Sequence, residues 1–251
     1  MSSGVTHWRP SLLPLLAVLI LLPTMIALGI WQLDRAEQKR ALQAEYDVRA
    51  GDAPVSITAR LQPVEELRFY RVEAKGHYDT EHQFLLDNRV HKGRVGYYVM
   101  TPLRIQGSDV RVLVNRGWIP LGPSRARLPE TPTPAGLQTV HGLATVPLKG
   151  GFRLGEAVAQ EAGWQPVWQY LDLHRYRDAV PFPIQPVVVL LDPHGEAGGF
   201  VREWRRLDTG IAVHQGYAFQ WFSLAVALLA IYLFVNVRGR KGGDRAGEQL
   251  K

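Results

Sequence analysis

The sequence predicts a membrane protein in which two transmembrane α-helices bracket a β-rich, antiparallel barrel or sandwich-like domain outside the cytoplasm. No charged residue occurs from Pro10 to Leu33 or from Thr209 to Val237. Both stretches exceed the roughly 20 apolar residues that a helix needs to cross a bilayer. Between them, short runs of β-branched and aromatic residues alternate with turn residues, as is typical of β domains.

The first predicted transmembrane helix covers residues 12–31 and ends at Trp31. An amphipathic indole ring suits the headgroup layer of a membrane. A cleaved signal peptide is the alternative, with Arg9 as its basic region and Ala27-Leu28-Gly29 as its cleavage site. The apolar run continues through Ile30 and is longer than a usual signal core, which favours an uncleaved helix.

The second predicted transmembrane helix covers residues 212–237, and the basic residues of segment 238–251 follow at once. Positive charge flanking a membrane helix is typically cytoplasmic. Of the net charge of +6, only +2 lies between Asp34 and Gly210. Segments 1–11 and 238–251 are therefore predicted to be cytoplasmic, and residues 32–211 to form a domain outside the inner membrane.

The middle domain is predicted to begin with a polar helix over Arg35–Tyr46 and to contain a short helix over Asp172–Ala179. Turn residues at Gly76, Asp87-Asn88, Lys92-Gly93 and Gly107-Ser108-Asp109 separate the remaining segments. The predicted strands are 68–74, 83–86, 97–100, 110–114, 140–146 and 186–191. Many short strands at close spacing favour a barrel or a sandwich.

Composition excludes several classes of function. There is no cysteine, so disulfides, thiolate metal sites and a cysteine nucleophile are excluded. No nucleotide-binding, zinc-protease or nucleophile-elbow motif is present. The basic excess lies on the membrane flanks rather than on one domain face, so we expect no nucleic-acid partner.

One polar run, His77-Tyr78-Asp79-Thr80-Glu81-His82, contains residues of the types that bind metals. As a strand it would place His77, Asp79 and Glu81 on one face, where they could hold a metal or serve a hydrolase. Asp79-Thr80 is also typical of a turn. A solvated turn without a metal is the interpretation that we favour.

Two further groups combine polar residues with apolar strands. Asp87 and Asn88 are typical of a turn, and we favour that structural role. Arg116 and Trp118 could either pack against the sheet or anchor a partner protein, since arginine and tryptophan are common at interfaces.

The segment from His214 to Phe222 carries a histidine at the outer end of the second helix. The 24 positions from His214 to Arg238 span roughly 36 Å of helix, which places His214 near the outer surface of the bilayer. Tyr217 and Trp221 follow on the same face. An axial imidazole beside aromatic rings is suited to a haem. From the spacing alone, however, an aromatic belt at the membrane interface without a ligand is the interpretation that we favour.

The chain resembles the surfeit locus protein 1 family of cytochrome c oxidase assembly factors. The resemblance covers nearly the whole chain, and in this order its short motifs are specific. They are Gly29-x-Trp31-Gln32-x-x-Arg35, Leu86-Asp87-Asn88-Arg89, Gly96-Tyr97, Thr101-Pro102-Leu103, Val114-Asn115-Arg116-Gly117-Trp118 and His214-x-Gly216-Tyr217-Ala218-x-Gln220-Trp221-Phe222.

The resemblance implies an assembly factor in respiratory complex IV biogenesis rather than an enzyme. It implies that haem a is bound and delivered to subunit I of the oxidase in a bacterial inner membrane. The proposed haem ligand of the family falls on His214, and Tyr217 and Trp221 accompany it. Arg35 is a candidate partner of a haem propionate. The family motifs also include Trp31, Gln32, Asp87, Asn88, Arg116, Trp118 and Gln220.

The partners implied are subunit I, other oxidase assembly factors, the haem a synthesis machinery and the lipid bilayer. A scaffold that holds oxidase subunits together without binding haem is the alternative function. In that case, the effect on assembly would come from the middle domain rather than from His214.

Overall fold

The structure, a computed structural model, describes residues 12–147, 163–204 and 210–248, with side chains described up to Val235 in the last range. The predicted cytoplasmic segment 1–11 lies outside the described residues. The chain divides into a helical unit, which ends at Ala44 and resumes after Leu207, and a β unit that begins at Glu45.

The helical unit is built on two long helices, α1 (Leu12–Gly51) and α4 (Ile211–Glu248). Both are long and apolar enough to cross a membrane, over Leu12–Gly51 and Ile211–Val235. The predicted polar continuation of the first helix is confirmed and extends to Gly51. At 1.5 Å per residue, α1 is about 60 Å long, twice the thickness of the hydrocarbon core.

Small residues line the contact between the two helices. Gly29 of α1 faces Phe222 of α4 so closely that an added Cβ would lie 2.7 Å from the ring. Ala218 and Ala225, seven residues apart on α4, are buried. Gly29 lies against Phe222, whereas Gln32, three residues later on α1, contacts His214, which precedes Phe222 on α4. The two helices therefore run antiparallel.

The β unit is a closed five-stranded barrel with three further short or edge strands. Its strands are β1 (Val55–Ser56), β2 (Arg71–Tyr78), β3 (Phe84–His91), β4 (Arg94–Ile105), β5 (Arg111–Pro120), β6 (Gln138–Thr145), β7 (Val167–Trp168) and β8 (Ile184–Leu191). The sheet order β2-β6-β8-β5-β4 closes on itself because β2 also pairs with β4. The pairs in this ring are antiparallel except β5 with β8. The predicted barrel is confirmed.

Alternate residues from all five strands fill the barrel. The buried core comprises Val72, Ala74, Leu103, Ile105, Val112, Val114, Val140, Ala144, Val187, Val189 and Leu191. Each fully buried valine, leucine or isoleucine side chain among these contributes about 1.5 to 3 kcal/mol. The opposite face of β5 and β8, with Leu113 and Val188, packs on a second cluster that includes the short helix α3 (Leu173–Ala179). The predicted helix over Asp172–Ala179 is confirmed as α3, with Asp172 as its N-cap.

Two of the predicted turns are wrong, and a third is confirmed. Gly76 lies inside β2. The Arg104 carbonyl oxygen lies so close to it that a Cβ atom at this position would be only 2.0 Å from that oxygen. Asp87 and Asn88 form a β-bulge within β3, with Asn88 at φ 58°. Lys92-Gly93 forms the predicted turn, with φ of 46° and 77°, the primed geometry that a two-residue hairpin prefers.

Candidate functional site

His214 and Gln32 form a polar pair inside the helical unit. His214 lies in the first turn of α4 and is half-buried. Its Nδ1 lies 2.8 Å from Oε1 of Gln32, whose side chain lies in α1 and is only 9% exposed. Because the amide oxygen can only accept, this contact is a hydrogen bond when Nδ1 carries the proton and donates it. Nε2 then holds a lone pair, and it has no hydrogen-bond partner among the described residues.

The pair forms because small residues bring the helices together. Gly29 precedes Gln32 by three residues and Ala36 follows it by four, so all three lie on one face of α1. Ala218 follows His214 by four residues on α4. Burying an unpaired amide costs free energy, so a buried Gln32 requires a partner. His214 supplies it.

The neighbouring aromatic residues surround the pair unequally. Trp221 is half-buried, whereas Tyr217 and Gln220 are exposed. The predicted common face of His214, Tyr217 and Trp221 is therefore divided. Ala218 occupies the helix contact, and the Tyr217 ring stands outside it.

Arg35 and Trp31 lie on an exposed side of α1. The Arg35 guanidinium lies 6.0 Å from the centre of the Trp31 ring, and its Nη1 donates to Gln38 Oε1 at 2.9 Å. Within the described residues, the hydrogen-bond partner of Arg35 is thus a neutral amide rather than a carboxylate. Its charge is available to an anionic group.

Arg116 is the most deeply buried of the sequence-predicted site residues, with 1% of its surface exposed. It lies in the β unit, and all its described partners are neutral. Nε donates to the Gly198 carbonyl at 2.6 Å and Nη2 to the Pro132 carbonyl at 2.6 Å. Nη1 donates to Gln83 Oε1 at 3.1 Å and to Thr133 Oγ1 at 3.0 Å.

Arg116 also lies between two aromatic rings, at 5.1 Å from Tyr78 and 5.2 Å from Phe200. Burial lowers the pKa of the Arg116 guanidinium, and burial raises the pKa of Tyr78 to about 12. A guanidinium remains charged despite such a shift. Arg116 therefore fastens two loops to the barrel strand β5, which is a structural role.

Trp118 and Asp87 are likewise structural. The Trp118 indole nitrogen donates to the Arg89 carbonyl at 2.8 Å, and the ring is 5% exposed. Asp87 accepts from the Asn88 backbone nitrogen at 2.6 Å and pairs with Arg125. Asn88 itself is exposed in the bulge. The sequence left packing and partner binding open for Arg116 and Trp118, and both pack.

The run from His77 to His82 does not form one strand, so the favoured turn is confirmed and the alternative, a shared strand face of His77, Asp79 and Glu81, is not found. β2 ends at Tyr78, and Asp79 turns the chain by accepting from the backbone nitrogens of Glu81 and His82. Ligand atoms of Asp79, Glu81 and His82 lie within 4.8 Å of one another. Arg111 Nε lies 3.0 Å from the Asp79 carboxylate, and this cation opposes a metal there.

The sequence identified His214 and Gln32 separately, as a haem ligand and as a motif position, but it did not pair them. Their positions contain a signal for the pairing. Each lies at the outer end of a predicted membrane helix, and two such ends reach the same depth when the helices are antiparallel.

Known proteins resemble this chain along most of its length. A match to the SURF1 family covers residues 19–226. A SURF1-like protein of Monosiga brevicollis is 28% identical over 237 residues, which is 88% of this chain and 85% of that protein. Surfeit locus protein 1 of Homo sapiens is 28% identical over 249 residues, with 90% and 78% covered. A SURF1-like protein of Rickettsia felis is 24% identical over 223 residues, with 87% and 94% covered. The chain belongs to the SURF1 family, and this membership implies a role in cytochrome c oxidase assembly.

Proposed function

We propose that this protein binds haem a through His214 and assists its insertion into subunit I of cytochrome c oxidase. The observation that supports this proposal is the 2.8 Å contact between His214 Nδ1 and Gln32 Oε1. Histidines that bind metals generally donate their other ring N–H to an oxygen acceptor, which fixes the ring and its tautomer. Gln32 is such an acceptor, and Nε2 is left for the iron.

The residues around His214 suit a haem. Haem a brings an iron that accepts an axial imidazole, an apolar macrocycle with a long apolar tail, and two propionates. His214 offers a neutral nitrogen, and half-buried Trp221 offers an apolar ring about two helical turns further along α4. Arg35 carries a positive charge that can pair with a propionate. A single ligand from this chain also favours release, because a carrier must give up its cargo.

The same proposal assigns the topology. With the basic segment after Val237 in the cytoplasm, His214 lies at the outer face of a bacterial inner membrane. The β unit is then periplasmic, and both termini are cytoplasmic. A haem site at this level is open to the haem a synthesis machinery within the bilayer. The β unit is free to contact subunit I and other assembly factors.

An absorption spectrum tests the proposal. The full chain, produced in cells that make haem a and purified in detergent, is expected to show a haem a spectrum. Replacing His214→Ala should abolish or shift that spectrum. The matched control is His141→Ala, at an exposed position of β6, which should leave the spectrum unchanged.

Two results contradict the proposal. A colourless wild-type protein favours the scaffold function, in which the β unit holds oxidase subunits together without haem. A full and unshifted haem spectrum in His214→Ala assigns the iron to another ligand.

A further inference from the structure

We infer that Gln32 is a positioning residue that fixes the tautomer of His214, with the proton on Nδ1 and the lone pair on Nε2. The purpose of this arrangement rests on the proposed function, because a fixed lone pair serves a metal ligand. The tautomer itself is a property of the protein without haem, so it can be measured separately.

The geometry carries the inference because the acceptor cannot move freely. Gln32 is 9% exposed and lies between Gly29 and Ala36 on the buried face of α1. Its Oε1 lies 2.8 Å from His214 Nδ1, a normal hydrogen-bond distance. The two residues belong to different helices, so packing of the helices, rather than local sequence, sets the contact.

A neutral imidazole has two tautomers, and a hydrogen bond to one ring nitrogen selects between them. A neutral hydrogen bond contributes about 0.5 to 1.5 kcal/mol net. We therefore expect Gln32 to favour the Nδ1–H form by about twofold to tenfold, since 1.4 kcal/mol corresponds to a factor of ten.

Three substitutions separate the roles of the amide. Gln32→Leu keeps most of the volume and removes the acceptor, so both tautomers should be populated. Gln32→Glu keeps an acceptor and strengthens it, so the Nδ1–H form should persist. Gln215→Leu is the matched control, because Gln215 is exposed on α4 and lies at an unspecified position of the motif, so the substitution should leave the His214 tautomer unchanged.

The experiment is nitrogen NMR on the haem-free, full-length protein in detergent, labelled with ¹⁵N-histidine. The measurement is made at a pH of about 8.5, well above the ordinary histidine pKa of about 6.5. Two-bond couplings from ring nitrogens to carbon-bound protons distinguish the tautomers. His214→Ala identifies the signals of His214 among the eight histidines.

The expected wild-type result is a predominant Nδ1–H tautomer at His214, which is retained in Gln32→Glu and loses its predominance in Gln32→Leu. An Nε2–H tautomer in the wild type would overturn the inference, because Gln32 would then present its NH₂ group to the ring. An unchanged Nδ1–H signal in Gln32→Leu would also overturn it, because another group would fix the tautomer.

Haem binding gives a second, separate result. Gln32→Leu should bind haem a about 10-fold to 100-fold more weakly than the wild type, the range usual for loss of such a partner, and Gln32→Glu should recover most of the affinity. A colourless wild type with the Nδ1–H tautomer would refute the haem proposal and leave the assignment of Gln32 intact. A wild type that binds haem a but shows the Nε2–H tautomer when haem-free would refute the assignment of Gln32 and leave the haem proposal intact.

Discussion

The two units of this protein bury polar side chains in different ways. In the β unit, Gln185 is fully buried and uses both ends of its amide, since Oε1 accepts from the Gln62 nitrogen and Nε2 donates to the Thr58 and Arg60 carbonyls. Arg116 likewise donates through all three of its nitrogens. In the helical unit, His214 uses one ring nitrogen, and its second nitrogen has no partner among the described residues.

This difference separates structural from functional polar groups. A buried network in which every group is satisfied holds a fold in one arrangement. A side chain with one polar atom left without a partner can still bind a ligand through that atom. Arg116 and Trp118 of the β unit therefore stabilise the barrel, and His214 of the helical unit is the candidate for binding.

The largest expected effect comes from Arg116→Met. It removes the guanidinium that donates to the Gly198 and Pro132 carbonyls, and it takes one donor from Gln83 Oε1 and one from Thr133 Oγ1. The cost should be about 4 kcal/mol in the free energy of unfolding. Thermal unfolding followed by β-sheet circular dichroism measures it. Arg127→Met, at an exposed position, is the control, and equal stability of the two variants would remove the structural role of Arg116.

Asp87→Ala should cost about 2 kcal/mol, because it removes the Arg125 ion pair and the acceptor of the Asn88 nitrogen. Asp87→Asn keeps the acceptor and should cost less. Both variants should retain the His214 tautomer of the wild type. A changed His214 tautomer in haem-free Asp87→Ala or Asp87→Asn would contradict the separation of a structural β unit from a ligand-binding helical unit.

Gly29→Ala tests the packing of the helical unit. The added Cβ would lie 2.7 Å from the Phe222 ring, so the ring must move at a cost of about 1 kcal/mol or more. We expect a mixture of His214 tautomers as the Gln32 contact loosens. Adding Phe222→Ala should restore the predominant tautomer. An unaffected tautomer in Gly29→Ala would show that close helix contact is not required.

The smallest effect is a pH dependence at Glu45, where α1 enters the β unit. The hydrogen bond from Arg68 lowers the pKa of Glu45 below its ordinary value of 4.5. Its stabilisation is therefore present above pH 4.5 and is lost as the pH falls through the lowered pKa. Glu45→Gln should unfold more easily by about 0.5 to 1 kcal/mol at neutral pH. The difference from wild type should disappear in strong acid, and a constant difference would exclude the ion pair as its cause.

Much of the fold follows from the sequence because hydrophobic patterning is local. Pro186–Leu191 is apolar throughout, as befits a strand buried on both faces, and it lies in β8. The β-bulge at Asp87 and the interior position of Gly76 were missed, because both residues also favour turns. Pairing with β4 decides whether such a residue lies in a turn or inside a strand, and this pairing depends on residues outside the segment itself.

The candidate site was predictable in part for the same reason. Depth along each helix follows from residue count, so His214 was placed at the outer membrane surface. Its pairing with Gln32 depends on how Gly29 and Ala218 let the helices approach, which no single segment encodes. The sequence also could not decide whether Arg116 faces a partner or the barrel interior. The direction in which Arg116 faces is set only when the five strands close into the barrel.

Chemical rescue can establish whether Nε2 of His214 binds the haem iron. His214→Gly removes the ligand and leaves space for free imidazole. We predict that the purified variant lacks the wild-type haem a spectrum and regains it when haem a and imidazole are added together. A variant that shows the full wild-type spectrum without imidazole would contradict binding of the iron by His214.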